Sequence, residues 1–200
     1  MANALHTFIR RCHIAKVKLI RLISKKRREA RPGTVEDKWA LLEEANRAGI
    51  RTFIETGTYR GDMVEHFKGK FTHIYSIEIG SELATYAQKR FLSYPSIEII
   101  EGDSSEILPR LLAKLEESAV FLLDAHCSEG DTFRGADYTP IASELRSILS
   151  HPLRHTIIVD DARLFDGIDY PTLRKIRRLV RRTKPTASME IVGDLIRIRT

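Results

Sequence analysis

The sequence has very little cysteine and no long apolar run near its start. Its two cysteines, Cys12 and Cys127, are too few for a disulfide framework, which excludes the small secreted proteins that disulfides hold together. In residues 1–33, cations such as Arg10 and Lys16 interrupt the apolar stretch of roughly 7–15 residues that a signal peptide needs. The same interruptions exclude a transmembrane helix. We therefore expect a cytoplasmic protein.

Positive charge is concentrated in two segments. Residues 1–33 carry ten Lys or Arg and one acid, a balance of +9, whereas the whole chain carries +6, so the remaining residues sum to −3. A second run, Arg174 to Lys184, holds seven Lys or Arg and no acid. The acidic centre does not indicate a nucleic-acid binder, and we expect no nucleic-acid partner. The second run is typical of a solvated helix face, with an acidic partner or a phosphate-bearing substrate as the alternative.

Residues 1–33 have the pattern of a basic amphipathic helix, which Pro32–Gly33 closes. Three roles fit such a helix: packing on the domain or on a partner subunit, lying on an anionic membrane surface, or serving as a nucleic-acid arm. We predict an N-terminal extension over residues 1–33 and a single domain over residues 34–200. Peripheral membrane association through the extension and homo-oligomerisation are left open. The apolar side of the helix would comprise Leu5, Phe8, Ile9, Val17, Ile20 and Ile23.

Apolar strands and amphipathic helices alternate from Val35 onwards. Segments such as RTFIET, SAVFLLDAH and HTIIVDD are continuous apolar runs, which are typical of parallel strands buried on both faces. The βα repeats are too few for an eight-stranded barrel. We predict an α/β fold with an open, doubly wound, mostly parallel sheet, closed by an antiparallel hairpin through Gly193–Asp194. Such sheets bind ligands beyond the carboxyl ends of their strands.

Glycines and polar residues follow the first three predicted strands. The first strand is followed by a glycine turn, which lets a ligand approach the backbone closely. The second is followed by an acid that can accept hydrogen bonds from both ribose hydroxyls, and the third by polar groups over a bound adenine. In this order they favour an adenosine-containing ligand. The residues concerned are Glu55, Gly57, Gly61, Glu78, Asp103 and Ser104.

The pattern E-x-G-x-x-x-G, followed by an acid and then by GD, resembles the class I S-adenosylmethionine-dependent methyltransferases. The resemblance extends over residues 35–200, including the closing hairpin. It implies that the glycine loop holds the methionine moiety of S-adenosylmethionine (SAM), the acid the ribose, and the residues after the third strand the adenine. The cofactor-binding residues so implied are Glu55, Gly57, Thr58, Gly61, Glu78, Asp103 and Ser104.

A nicotinamide cofactor would fit the same outline of strands and loops. The G-x-G-x-x-G pattern of such sites is absent, however, because Tyr59 and Asp62 stand where glycines would be needed. This difference favours a methyltransferase over a dehydrogenase.

Three carboxylates follow the fourth and fifth predicted strands. FLLDAH brings Asp124 and His126, and IIVDD brings Asp160 and Asp161. In a 3-2-1-4-5 strand order these ends are neighbours, and the mutual repulsion of the carboxylates calls for a positive charge between them. A hard divalent cation would supply that positive charge, and Mg²⁺ fits best. The arrangement is similar to the metal-dependent O-methyltransferases of the catechol and macrolide-sugar type, in which the metal positions the acceptor hydroxyl and lowers its pKa.

Other interpretations of these residues stay open. Asp160 and Asp161 could form a solvated turn or helix cap with Arg163 as a partner, or one carboxylate could act as a base without a metal. His126 could be a general base, a metal ligand or a structural histidine. We predict Mg²⁺-assisted O-methylation of a small hydroxylated acceptor, with a metal-independent methyltransferase or a non-catalytic binding module tethered by its basic N-terminus as alternatives. The predicted catalytic residues are His126 and Asp124, and the predicted metal ligands are Asp124, Asp160 and Asp161.

Overall fold

The computed structural model of the chain describes residues 32–124, 140–167 and 170–200. Within these ranges, helices alternate with the strands of one sheet. The strands are β1 (Thr52–Thr56), β2 (His73–Glu78), β3 (Ile97–Glu101), β4 (Ala119–Leu123), β5 (Thr156–Val159), β6 (Ser188–Val192) and β7 (Leu195–Arg199). The helices are α1 (Val35–Arg47), α2 (Asp62–Phe67), α3 (Ser81–Phe91), α4 (Ser104–Leu112), α5 (Ile141–Ser150) and α6 (Leu173–Thr183), with a 3₁₀ turn at Ala162–Leu164.

The seven strands form a single sheet in the order β3-β2-β1-β4-β5-β7-β6. β1 to β5 run parallel, and β7 runs antiparallel to both β5 and β6. This order confirms the predicted doubly wound sheet and its closing hairpin. The chain starts at β1 and winds outward first through β2 and β3 and then through β4 and β5. The switch point therefore lies between β1 and β4.

The sheet is covered by helices on both faces. Every residue of β1 and of β4 is buried, which explains why these segments read as continuous apolar runs. Alternate side chains of β1 enter two different apolar layers. Ile54 packs in the layer that includes Leu108 of α4, and Phe53 packs in the layer that includes Leu42 of α1. The positions of the strand ends are therefore fixed by an apolar core on each face of the sheet.

Helix α1 begins with a capping box that fixes its first turn. The Thr34 hydroxyl accepts the backbone N–H of Asp37 at 3.3 Å, and the Asp37 carboxylate accepts the backbone N–H of Thr34 at 2.9 Å. Just before this cap, the N–H of Gly33 donates to the carboxylate of Asp194 in the hairpin turn at 3.2 Å. The first turn of α1 is therefore anchored beside the ends of β5 and β7.

The second basic run lies on α6. Ile176 and Val180 are buried against the sheet, whereas the Lys and Arg side chains from Arg174 to Arg182 are exposed. This agrees with the interpretation of the run as a solvated helix face.

Most of the predicted N-terminal extension, residues 1–31, lies outside the described residues. The division into an extension and a domain, like the amphipathic helix, stays a prediction. None of the helices in the described part of the chain is long and apolar enough to cross a membrane.

A buried histidine lies at the edge of the sheet opposite the switch-point loops. The Nδ1 atom of His155 accepts the backbone N–H of Ala119 at 3.1 Å, and its Nε2 atom lies 2.8 Å from Nδ1 of His151. Because Nδ1 is an acceptor, the ring proton of neutral His155 resides on Nε2 and is donated to His151. Burial, together with the nearby charges of His151 and Lys184, lowers the pKa of His155 to about 4.

We expect the free energy of unfolding to decrease as the pH falls from 6.5 towards 4. The unfolded chain binds a proton at His155 near its ordinary pKa of 6.5, whereas the folded chain does not until about pH 4. Between these two pKa values of His155, the free energy of unfolding decreases by up to about 1.4 kcal/mol for each pH unit. Urea unfolding at pH 7 and pH 5 measures the loss. His155→Gln should reduce the difference between the two pH values, and an undiminished difference would contradict the assignment.

Candidate active site

The carboxyl ends of the parallel strands are aligned at one edge of the sheet. The hydrogen bonds of the parallel ladder continue one residue past β1, β3, β4 and β5, with N···O distances of 2.9 to 3.1 Å. The residues that follow these strands are therefore held in register by the backbone and not only by loop packing. The residues placed in this way are Gly57, Gly102, Asp124 and Asp160.

The loop after β1 is a tight turn with three left-handed residues. Gly57, Tyr59 and Gly61 have φ angles of 89°, 49° and 78°. A Cβ atom at Gly61 would lie only 2.7 Å from the ring of Phe91 on α3. Gly61 is thus required by backbone conformation and by packing on α3. The sequence interpretation of this glycine, close approach of a ligand, stays a prediction.

Glu78, at the end of β2, is held by two backbone groups. Its Oε2 atom accepts the N–H of Tyr59 at 2.8 Å, and its Oε1 atom accepts the N–H of Gly80 at 2.9 Å. The residue is 7% exposed. Because each carboxylate oxygen can accept two hydrogen bonds, each keeps acceptor capacity for a ribose hydroxyl. The carboxylate therefore fits the predicted ribose site.

Glu55 and Thr58 lie beneath this loop. The Ser76 hydroxyl donates to Oε2 of Glu55 at 2.6 Å and lies 2.7 Å from the hydroxyl oxygen of Thr58. Burial raises the pKa of Glu55 to about 8, and the negative charges of Asp124 and Glu78 act in the same direction. Glu55 is thus mostly protonated at neutral pH. The contacts of Glu55 and Thr58 support the loop from below, and their predicted contact with the methionine moiety stays a prediction.

The polar residues after β3 form the start of α4. Asp103 is the N-cap, with its Oδ1 atom accepting the N–H of Ser105 at 2.8 Å. Ser104 is buried beside the carboxyl group of Glu144 on α5. Asp103 keeps a partly exposed side chain at the edge of the sheet, whereas Ser104 is directed to a buried acid. Their predicted role in binding adenine is untested.

Glu144 is a buried acid that the sequence interpretation missed. Burial raises its pKa to about 7, although the hydroxyls of Ser104 and Thr56 favour the charged form. A signal for it exists, because Glu144 follows Ile141 by three residues and precedes Ile148 by four, which places it on the apolar face of α5. The carboxyl group lies beside Thr56, at the end of β1, and Ser104, at the start of α4.

Asp124 and Asp160 meet at the edge of the sheet, as predicted from the strand order. The cation between them belongs to the chain itself. The Nζ atom of Lys38, on α1, lies 2.6 Å from Oδ2 of Asp124 and 2.5 Å from Oδ2 of Asp160. No sequence signal distinguishes Lys38 from a solvent-facing lysine in the charged first turns of a helix. Its role is visible only once α1 is packed on the sheet.

The third aspartate has a different partner. Asp161 adopts a left-handed conformation with φ of 56°, and its Oδ1 atom lies 2.5 Å from NH1 of Arg163. The same guanidinium contacts the carboxylate of Asp194 in the hairpin turn. A contact of Asp161 with Arg163 is one of the alternatives that the sequence leaves open, and the structure contains it. Asp161 does not join Asp124 and Asp160 on Lys38.

The charges at this cluster are set by burial and by the three partners together. Burial alone would lower the pKa of Lys38, but Asp124 and Asp160 outweigh it and raise the pKa to about 12. Burial and repulsion from Asp124 raise the pKa of Asp160 to about 6, although Lys38 opposes the shift. Lys38 is therefore charged at neutral pH.

The predicted magnesium ligands do not fit a metal ion as they are arranged. Within residues 32–124, 140–167 and 170–200, no group of three or more His, Cys, Asp or Glu side chains is placed to hold a metal ion. Two of the predicted ligands converge on an ammonium group and the third on a guanidinium. A divalent ion would have to displace Lys38. His126 lies outside the described residues, so its predicted catalytic role stays a prediction.

Comparisons with known proteins support the fold. No protein-family model matches the sequence, and no curated protein matches it. Among solved structures, the O-methyltransferase TomG of Streptomyces achromogenes, in complex with SAM, is 16% identical, with a TM-score of 0.58. The alignment covers 84% of this chain and 80% of TomG. An O-methyltransferase from Bacillus cereus, in complex with S-adenosylhomocysteine (SAH), is 14% identical with a TM-score of 0.56, over 91% of this chain and 88% of that one.

A third similar structure is the SAH-bound methyltransferase PaMTH1 of Podospora anserina. It is 16% identical with a TM-score of 0.55, and the alignment covers 90% of this chain and 86% of PaMTH1. At these identities the likeness shows the fold. The chain thus has the Rossmann-like fold of the class I SAM-dependent methyltransferases, as its sequence predicts.

Proposed function

We propose that the chain is a SAM-dependent methyltransferase that acts on a hydroxyl group of a small acceptor. The observation that carries the proposal is the carboxylate of Glu78, which Tyr59 and Gly80 hold beside the glycine loop with acceptor capacity left on both oxygens. The neighbours bound to SAM or SAH support the same ligand. Two of the three are O-methyltransferases, which favours an oxygen acceptor.

The reaction requires little covalent participation from the protein. The acceptor oxygen attacks the methyl carbon of SAM, and a C–O bond forms while the C–S bond breaks. The electron pair of that bond passes to sulfur, which leaves SAH as a neutral thioether, and the hydroxyl proton passes to a nearby carboxylate or to water. Asp124, Asp160 and Tyr170 line a small cavity at this edge, and in our proposal the acceptor lies beside this cavity, next to the methyl donor. The chain contributes mainly by holding the two reactants in line.

The acidic edge also suits the charge of the donor. Glu78, Asp103 and Asp124 bring negative charge to the ends of neighbouring strands, which favours a sulfonium cation electrostatically. The sulfonium loses its charge on transfer, so the same field favours release of SAH after the reaction.

Magnesium is a prediction from the sequence that the observed contacts do not support. A metal-independent methyltransferase is the second candidate, and the position of Lys38 between Asp124 and Asp160 favours it. In both cases the cofactor site is the same. The two candidates differ in what orients the acceptor oxygen.

Calorimetric titration of the full chain with SAH tests the proposed function. We expect one site with micromolar affinity, because Tyr59 and Gly80 already hold the carboxylate of Glu78 beside the glycine loop. The absence of binding at high micromolar SAH would disprove the cofactor assignment and favour the non-catalytic binding module.

Methyl transfer from labelled SAM to hydroxylated acceptors, measured with and without EDTA, then separates the metal-assisted from the metal-independent reaction.

A further inference from the structure

We infer that Lys38 is a built-in cation, which takes the position that a divalent metal would otherwise hold between Asp124 and Asp160, and that the folded chain therefore excludes such a metal there. The inference concerns the acceptor side of the proposed reaction. It rests on the proposed function only in assigning an acceptor to that side.

The contacts of the ammonium group are close and shielded. Both carboxylate oxygens lie within 2.6 Å of the same Nζ atom, and the side chains of Lys38, Asp124 and Asp160 are 14%, 21% and 9% exposed. An ammonium group has three N–H donors, of which two serve these carboxylates. The third N–H can donate to the oxygen of an acceptor. Lys38 would then orient that oxygen, which is one of the tasks a metal performs in metal-dependent enzymes.

Lys38 lies on a helix whose position is fixed. It lies in the first turn of α1, which the capping box of Thr34 and Asp37 fixes and which Leu41 and Leu42 anchor in the core. The ammonium group is therefore held near the carboxylates at a high effective concentration, whereas a metal ion must arrive from solution. Displacing the lysine would also leave its charge without partners in a mostly buried place.

The charges of the three side chains also argue against a bound metal ion. Asp124 and Asp160 offer two negative charges, of which Lys38 already neutralises one. A Mg²⁺ ion placed on the same oxygens would lie within a few ångströms of the ammonium group, and the like charges would repel. Mg²⁺ also gives up its water ligands reluctantly and is usually bound through one or two carboxylates. Removal of Lys38 should therefore uncover a cation site that the parent protein lacks.

Titration of the full chain with Mn²⁺, followed by the electron paramagnetic resonance signal of the free ion, tests this inference. We expect Lys38→Ala to bind one Mn²⁺ per chain at least about tenfold more tightly than the parent protein, since the substitution removes the ammonium group that bridges the two carboxylates and repels a second cation. The double variant Lys38→Ala/Asp160→Asn should lose the new site. Lys38→Arg keeps the charge and should stay as free of Mn²⁺ as the parent.

Two further variants control for a general loss of positive charge and for misfolding. Lys70 pairs with Glu43 on the surface, so Lys70→Ala removes one positive charge elsewhere and should leave Mn²⁺ binding unchanged. Lys38→Met keeps the packing of the aliphatic stem, in case Lys38→Ala does not fold as judged by circular dichroism. It should also bind Mn²⁺ more tightly than the parent.

Either of two results would overturn the inference. One is a parent protein that binds Mn²⁺ at submillimolar concentration and loses the ion on Asp160→Asn. The other is a folded Lys38→Ala or Lys38→Met variant that binds Mn²⁺ no more tightly than the parent. SAH titrations of the same samples keep the proposed function separate, because a failure to bind SAH contradicts the proposed function without affecting the Mn²⁺ result.

Discussion

Glu78→Ala is expected to weaken SAH binding by at least about 100-fold. In our proposal the carboxylate accepts hydrogen bonds from both ribose hydroxyls, and hydrogen bonds to a charged group contribute about 1.5–3 kcal/mol each. The substitution also leaves the N–H groups of Tyr59 and Gly80 without the acceptor that holds the loop. Calorimetric titration with SAH measures the change, with urea unfolding to confirm that the variant is folded.

The neighbouring strand offers a matched control for this prediction. Glu101 ends β3 directly opposite Glu78 in the parallel register, but its side chain is exposed. Glu101→Ala removes the same charge from the same edge of the sheet and should change the SAH affinity less than about threefold, as expected for a screened surface charge. An equal loss in both variants would mean that general electrostatic attraction, and not a ribose contact of Glu78, explains the effect.

The strand order and the meeting of Asp124 with Asp160 follow from local features of the sequence. Continuous apolar runs require burial on both faces, which in turn requires a parallel sheet covered by helices. Once the strands alternate with helices, a 3-2-1-4-5 order makes the fourth and fifth strands neighbours, and acids directly after them must converge. The glycine turn after β1 is predictable for the same reason, because backbone conformation is a local property.

The partners of those acids are set by tertiary packing. Lys38 approaches Asp124 and Asp160 from a helix that precedes β1, and nothing in its local sequence determines where α1 packs on the sheet. Asp161 pairs with Arg163 because a left-handed backbone at that residue redirects its side chain, and such a conformation is not encoded by an Asp-Asp pair. The sequence reveals the need for a positive charge, but the packing decides that the chain itself supplies one.

Gly61→Ala is expected to destabilise the domain by about 2–4 kcal/mol. The residue has a φ of 78°, which a side chain tolerates poorly, and the added Cβ would lie 2.7 Å from the buried ring of Phe91. The conformational penalty accounts for about 1 kcal/mol, and overpacking against a ring that cannot move freely accounts for about 1–3 kcal/mol more. Urea unfolding monitored by circular dichroism measures the sum.

Gly69 allows the two contributions to be separated. It has the same φ of 78°, yet a Cβ atom there would meet nothing within 4 Å. Gly69→Ala should therefore cost only the conformational penalty of about 1 kcal/mol. The difference between the two alanine variants gives the energy of the contact with Phe91, and Phe91→Leu should reduce that difference because it removes the ring atoms that clash. Equal costs at Gly61 and Gly69 would instead mean that α3 yields to the methyl group, and that the glycine loop depends on backbone conformation alone.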